Sequence, residues 1–197
     1  MIVRCEIIGN IASGKTTLIN LVSQPMIGVL ENFQENPFWK SFYQDPESYS
    51  FETELTFTLQ HYHQIKNNLY AGNTFICDFS LYLDRAYADV TLQPQRRKIY
   101  LDVLDELTQE VGHPDLVIYL KCSERTLLDR IQTRGRENEK DITLNYLQAV
   151  ASSIENNIKS FSQQSEIIVL NSEELDIKQG NPYTDKIINT LTAKLAK

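Results

Sequence analysis

No stretch of this sequence approaches the roughly 18–20 consecutive apolar residues that cross a bilayer, and its start does not read as a secretory signal. Basic charge is also scarce. Nineteen Lys and Arg against 26 Asp and Glu leave a net charge of −7, which argues against a general nucleic-acid binder, since such a protein displaces counterions with a basic surface. Neither a membrane nor a nucleic-acid polymer is therefore an expected partner. The three cysteines are an odd number without metal-ligand spacing, so Cys5, Cys77 and Cys122 read as reduced thiols packed beside β-branched runs in a cytoplasmic protein. Repeats, low-complexity tracts and Pro/Gly-rich linkers are all missing, and 197 residues suit one domain spanning 1–197. With 42% apolar and 23% charged residues, a disordered chain is excluded.

What is present is a regular alternation. Short apolar runs at Ile2–Ile8, Gly28–Leu30, Thr74–Cys77, Leu116–Leu120 and Ile167–Leu170 are too short for helices, rich in Ile and Val, and mostly without polar alternation. They predict strands of a parallel sheet covered on both faces. Helical patterns fall at about 15–24, 46–70, 81–92, 95–111, 123–133, 142–161 and 183–196. The helix over 46–70 has a clear start, with Asp45 as N-cap, Pro46 at the first position and Glu47 in the first turn. Along it Phe51, Leu55, Leu59, Tyr62 and Leu69 make one apolar stripe. The fold class is an α/β three-layer domain.

The segment Gly9-Asn10-Ile11-Ala12-Ser13-Gly14-Lys15-Thr16 fits G-x-x-x-x-G-K-[ST] at every fixed position, after the first strand and at the opening of the first helix. The glycines let backbone N–H groups curl around a phosphate, and the helix N-terminus adds a favourable dipole. Lys15 can reach the β- and γ-phosphates, the Thr16 hydroxyl can ligate Mg²⁺, and Thr17 extends the phosphate contacts. ATP or GTP binding follows. Six of the nineteen basic residues lie between 121 and 140: Lys121, Arg125, Arg130, Arg134, Arg136 and Lys140. Arg130, Arg134 and Arg136 stand where a helix gives way to a polar stretch, which predicts a lid over about 134–141 that closes on the transferring phosphates.

Residues 33–62 carry nine of the chain's nineteen aromatics, and residues 33–72 contain no arginine and only two lysines, Lys40 and Lys66. A kinase that phosphorylates a nucleoside monophosphate needs arginines for the acceptor phosphate. This segment suits an uncharged, flat acceptor instead.

At this point the sequence resembles the deoxynucleoside kinase family, which includes deoxycytidine, deoxyguanosine and deoxyadenosine kinases. The resemblance runs from about residue 2 to 161. It rests on the phosphate loop through Thr17, Glu31 closing the second strand, Phe42-Tyr43-Gln44-Asp45-Pro46, Asp115-Leu116-Val117-Ile118-Tyr119-Leu120 and Arg130-Ile131-Gln132-Thr133-Arg134-Gly135-Arg136-Glu137-Asn138-Glu139. It implies a P-loop kinase fold with a five-stranded parallel sheet, commonly in a homodimer. It also implies ATP and Mg²⁺ as cofactors, and transfer of a phosphoryl group to a deoxynucleoside 5′-hydroxyl for nucleotide salvage. Carried over by position, Glu31 would be the general base. A carboxylate at the carboxyl end of a strand beside the phosphate loop is well placed for that work. Tyr43 and Glu139 resemble the pair that grips the sugar 3′-hydroxyl. Arg130 would stack on the donor's base, with Arg134 and Arg136 stabilising the migrating phosphoryl group.

Two departures stand out. The family's third strand usually ends in an acidic residue, Arg and Ser, whereas this chain has Asp78-Phe79-Ser80. Asp78 keeps the acid for the Mg²⁺ shell, but the arginine is gone. Such a lost contact costs roughly 3–4 kcal/mol of transition-state stabilisation. Arg85 is expected either to reach in as a substitute or to form a solvent-facing ion pair. The second departure concerns the base. Glu54 replaces the family's glutamine, His61 stands where some members carry an arginine, and Asp84 keeps a base-pocket acid. An ionised carboxylate only accepts hydrogen bonds, which suits the adjacent donors of guanine and predicts a preference for deoxyguanosine or a related purine. Alternatively, Glu54 pairs with His61 or Arg85 and leaves the base alone. The rival functions are a P-loop kinase of another small acceptor and a nucleotide-binding regulatory protein with weakened catalysis.

Overall fold

The structure, a computed structural model, describes residues 3–22 and 26–174 together with positions 185, 189 and 193. Apart from those three positions, the helix expected over 183–196 lies outside the described residues.

Five strands form one parallel sheet: β1 (Arg4–Ile8), β2 (Ile27–Val29), β3 (Phe75–Cys77), β4 (Leu116–Lys121) and β5 (Glu166–Asn171), in the spatial order β2-β3-β1-β4-β5. Seven α-helices among the described residues cover it: α1 (Lys15–Val22), α2 (Trp39–Gln44), α3 (Pro46–Tyr70), α4 (Leu81–Thr91), α5 (Pro94–Val111), α6 (Glu124–Arg134) and α7 (Leu144–Phe161). From β1 the chain passes to the sheet edge at β2, returns to β3, then crosses β1 to reach β4. Open parallel sheets bind ligands where such a reversal parts the loops at the carboxyl ends of the strands.

The expectation of two-sided cover holds for β1, β3 and β4 and fails at the edges. Ile27 of β2 is 46% exposed and Val169 of β5 is 56% exposed. An edge strand has a neighbour on one side only, so less of it is roofed. Cys5 and Cys77 are buried in the sheet, and Cys122 is half-buried. β1 also carries charge into the core: Arg4 pairs with Glu6 at 3.2 Å, and Glu6 accepts a hydrogen bond of 2.6 Å from the Ser80 hydroxyl. Ser80 in turn caps α4 by accepting from the Tyr82 amide at 3.1 Å. A buried charge is tolerated only when partnered in this way.

The 25-residue α3 starts as its sequence predicts, with the Asp45 side chain accepting from the Ser48 amide at 3.2 Å and Pro46 at the first position. Its apolar stripe is a correction. Phe51, Tyr62 and Leu69 pack against the core, but Leu59 is 46% exposed. The face of α3 that is buried instead carries Thr53, Glu54, Thr58, His61 and Ile65. A polar helix face turned inward needs polar company or a cavity; here it has both.

Candidate active site

One cavity of about 810 Å³ opens at the carboxyl end of the sheet. Of the residues expected to bind phosphate, Mg²⁺, sugar or base, all border it except Gly9 and Asn10, whose places are in the turn behind; Arg85, Lys121, Arg125 and Lys140 do not border it. The residues come from the β1–α1 loop, the end of β2, α2, α3, the end of β3, α4, α6 and the segment after α6.

The phosphate loop follows β1 directly. Gly9, Ala12 and Gly14 have φ of +155°, +61° and +98°, so the backbone reverses curvature within a few residues, as a nest of N–H groups requires. Gly9 is also crowded. A methyl group there would lie 2.9 Å from the Leu120 carbonyl oxygen. Asn10 fixes the loop on both sides, donating to the Leu147 carbonyl at 2.8 Å and accepting from the Ile11 amide at 2.9 Å. The Lys15 ammonium arches back to the carbonyls of Gly9 (2.9 Å) and Asn10 (3.2 Å). Burial pulls its pKa down, opposed by the charges of Glu31 and Asp78.

Asp78 joins three elements. One oxygen accepts from the Thr16 hydroxyl at 2.5 Å and the other from the Glu31 amide at 2.6 Å. Burial raises the Asp78 carboxyl above its ordinary range despite both bonds. Glu31 is placed opposite Lys15. Burial would raise its carboxyl too, but hydrogen bonding and charge from His61, with Lys15 behind, hold it below the usual value.

Over the far side lies the segment expected as a lid. Ser123 caps α6 by accepting from the Thr126 amide at 3.3 Å, and Gly135 ends the helix in the left-handed region at φ +65°. A short 3₁₀ turn at Glu137–Glu139 then packs against α2. Glu139 is buried and paired with both Arg134 and Arg136, the latter at 3.1 Å. The Arg136 guanidinium also lies 4.3 Å from the centre of the Phe33 ring, a cation–π contact. Arg130 donates to the Ala12 carbonyl (3.3 Å) and to Ser172 (3.0 Å). Tyr43 sits edge-on to Trp39, with centroids 5.7 Å apart, and burial raises its phenol well above the ordinary value, so it stays a neutral donor.

Two open expectations are resolved. Arg85 does not substitute for the missing arginine; it forms the ion pair, 3.2 Å from Asp105. Glu54 is hydrogen-bonded to neither His61 nor Arg85 and accepts from the Thr91 hydroxyl at 2.9 Å. Burial pushes its pKa up to about 8, so the assumption of an ionised carboxylate at neutral pH is corrected: the free site holds a carboxylic acid. His61, which borders the cavity, lies between two carboxylates, its Nδ1 3.0 Å from both Asp84 oxygens and its Nε2 3.3 Å from Glu31. Sequence reasoning overlooked Tyr146 and Thr91. Both sit among ordinary helical residues, and only the packing of α4 and α7 brings them here.

Residues 5–196 match the sequence pattern of the deoxynucleoside kinases. The chain belongs to the deoxynucleoside kinase family. It is therefore a phosphotransferase built on the P-loop kinase fold. Over 163 residues, 79% of this chain and 78% of the relative, it is 35% identical to a deoxyguanosine kinase of Bacillus subtilis. Over 196 residues (94% and 89%) it is 28% identical to that organism's deoxyadenosine/deoxycytidine kinase. Among solved structures, a deoxyadenosine kinase from M. mycoides with dCMP and dCDP bound superposes with a TM-score of 0.83 at 25% identity, covering 96% of this chain and 99% of that one.

The geometry of this family member's phosphate loop makes one substitution diagnostic. Gly9→Ala must displace the Leu120 backbone as well as the Ser13 side chain, so ATP affinity measured by calorimetry falls by at least tenfold while the far-UV spectrum is kept. Undiminished affinity would contradict the crowding.

Proposed function

We propose that the chain transfers the γ-phosphoryl group of ATP to the 5′-hydroxyl of a purine deoxynucleoside. The observation that carries this reading is the sharing of one aromatic-walled cavity by a carboxylate at Glu31 and the phosphate-loop Lys15. The nucleoside's 5′-oxygen forms a bond to the γ-phosphorus as the bond to the bridging oxygen of ADP breaks, and the hydroxyl proton passes to Glu31. Lys15, Arg134 and Arg136 offset the charge that spreads over the transferring group. Tyr43 and Glu139 hold the sugar 3′-hydroxyl. Arg130 spends its in-plane donors on Ala12 and Ser172, which leaves the planar face for stacking on the donor's base.

The Thr16 hydroxyl and the Asp78 carboxylate fit Mg²⁺, which takes hard oxygen donors, few of them from protein, and which when bound neutralises charge on the β- and γ-phosphates. A homodimer in the cytoplasm is the working form that the family resemblance implies; no described helix is long and apolar enough to cross a membrane. An acceptor that already bears phosphate is disfavoured, because residues 33–72, which supply the aromatic wall of the cavity, contain no arginine.

In a coupled assay with ATP, Mg²⁺ and the four deoxynucleosides, ADP release depends on the nucleoside and is fastest with a purine. Glu31→Gln lowers kcat by about 10²-fold or more. Binding of ATP and nucleoside without turnover, or full activity in Glu31→Gln, would overturn the reading.

The base preference varies with pH. Below about 8 the Glu54 carboxyl keeps its proton, so it both donates and accepts and suits an adenine or cytosine edge. Above that value it only accepts, which suits N1–H and the 2-amino group of guanine. The kcat/KM ratio of deoxyguanosine over deoxyadenosine therefore rises by roughly an order of magnitude between pH 7 and 9, and Glu54→Gln flattens that rise. A ratio that falls with pH would contradict the assignment.

A further inference from the structure

We propose that His61 is a positioning residue for Glu31: an imidazolium wedged between the Asp84 and Glu31 carboxylates, which supplies the acceptor site with the positive charge that Phe79 cannot. The inference rests on Glu31 being the base of the proposed reaction.

His61 is 3% exposed, and its two nitrogens face two carboxylates on different elements. Nδ1 meets both Asp84 oxygens of α4 at 3.0 Å, and Nε2 meets Glu31 Oε1 beyond β2 at 3.3 Å. A neutral imidazole has one N–H and one lone pair, so one of these carboxylates would face a lone pair at close range. Only the doubly protonated ring suits both sides. The other acidic groups that act on it do not oppose this: Glu6 on β1 is acidic and paired with Arg4, and Glu54 on α3 carries its proton at neutral pH. Burial alone would strip the ring of its proton, but Asp84 and Glu31 outweigh it and raise its pKa to about 10.

Phe79 now has a part to play. Its ring lies parallel to His61, at 4.3 Å between centroids and 9° between planes, and Phe57 stacks from the helix at 5.9 Å and 25°. Two flat neighbours leave the imidazole no freedom to swing, so its Nε2 stays aimed at Glu31. One carboxylate oxygen of Glu31 is thereby engaged, and the carboxylate is kept ionised in a place where burial favours the acid. Its other oxygen is the one to take the 5′-hydroxyl proton. Asp84, expected from the sequence as a contact of the base, instead serves as the counter-charge behind the ring.

Two measurements on the full-length protein test this. With 15N-histidine labelling there are three signals, from His61, His63 and His113, assigned by elimination in His63→Asn and His113→Asn. The His61 signal keeps the doubly protonated signature from pH 6 to 8.5; conversion to a neutral tautomer below pH 7.5 would overturn the proposal. In steady state, His61→Gln lowers kcat by about 10²-fold with nucleoside KM within threefold of the native value and ADP affinity unchanged. A raised KM with kcat intact would make His61 a reader of the base, and the proposal would fail. The Glu31→Gln control separates the two levels: if that variant stays active, the base assignment is wrong whatever His61 does, whereas an inactive Glu31→Gln beside a normal His61→Gln sinks the present inference alone.

Discussion

Asp78 accepts one hydrogen bond from the hydroxyl that opens α1 and another from the backbone of Glu31. The phosphate loop, the end of β2 and the end of β3 are thereby fixed to one another through a single carboxylate. The separation between Lys15 and Glu31, on which the proposed in-line transfer depends, is set by that junction together with the strand order. Because β3 lies between β1 and β2 in the sheet, the residue following β3 is the natural bridge. Positioning of this kind supplies much of what a phosphoryl-transfer enzyme contributes, since the protein forms no covalent bond with the transferred group.

The same region concentrates ionisable groups. Glu31, Glu54, Asp84 and Asp78 crowd one side of the cavity, with Lys15, His61, Arg134 and Arg136 against them. Desolvation penalises each charge separately, and the groups respond differently. Glu31 and His61 remain ionised because each has an opposite charge at hand, whereas Glu54, whose hydrogen-bond donor is the neutral Thr91, keeps its proton. Environments that push titratable groups apart are how one site comes to hold both an acceptor and a donor of protons.

Much of this was legible in the sequence. The phosphate loop carries its own geometry in its glycines, the start of α3 is spelled by Asp45 and Pro46, and the β-branched runs mark the sheet. The apolar stripe assigned to α3 misled because periodicity identifies a face without saying whether that face meets core or cavity; the helix turns Glu54 and His61 inward, where they line the site. The short α2 offered too few residues for any periodicity. The ionisation of Glu54 and the pairing of Arg85 with Asp105 depend on which atoms approach from elements distant in the chain. The cationic role argued for His61 likewise depends on Phe79 stacking against it, and no spacing rule encodes that contact.

The central claim is a distance. A crystal structure of the protein with a non-hydrolysable ATP analogue and deoxyguanosine measures it directly. The account predicts the 5′-oxygen within hydrogen-bonding reach of a Glu31 carboxylate oxygen, and the γ-phosphate over Lys15 on the same line. A nucleoside seated with its 5′-hydroxyl turned away from Glu31, while the analogue occupies the phosphate loop, would contradict it.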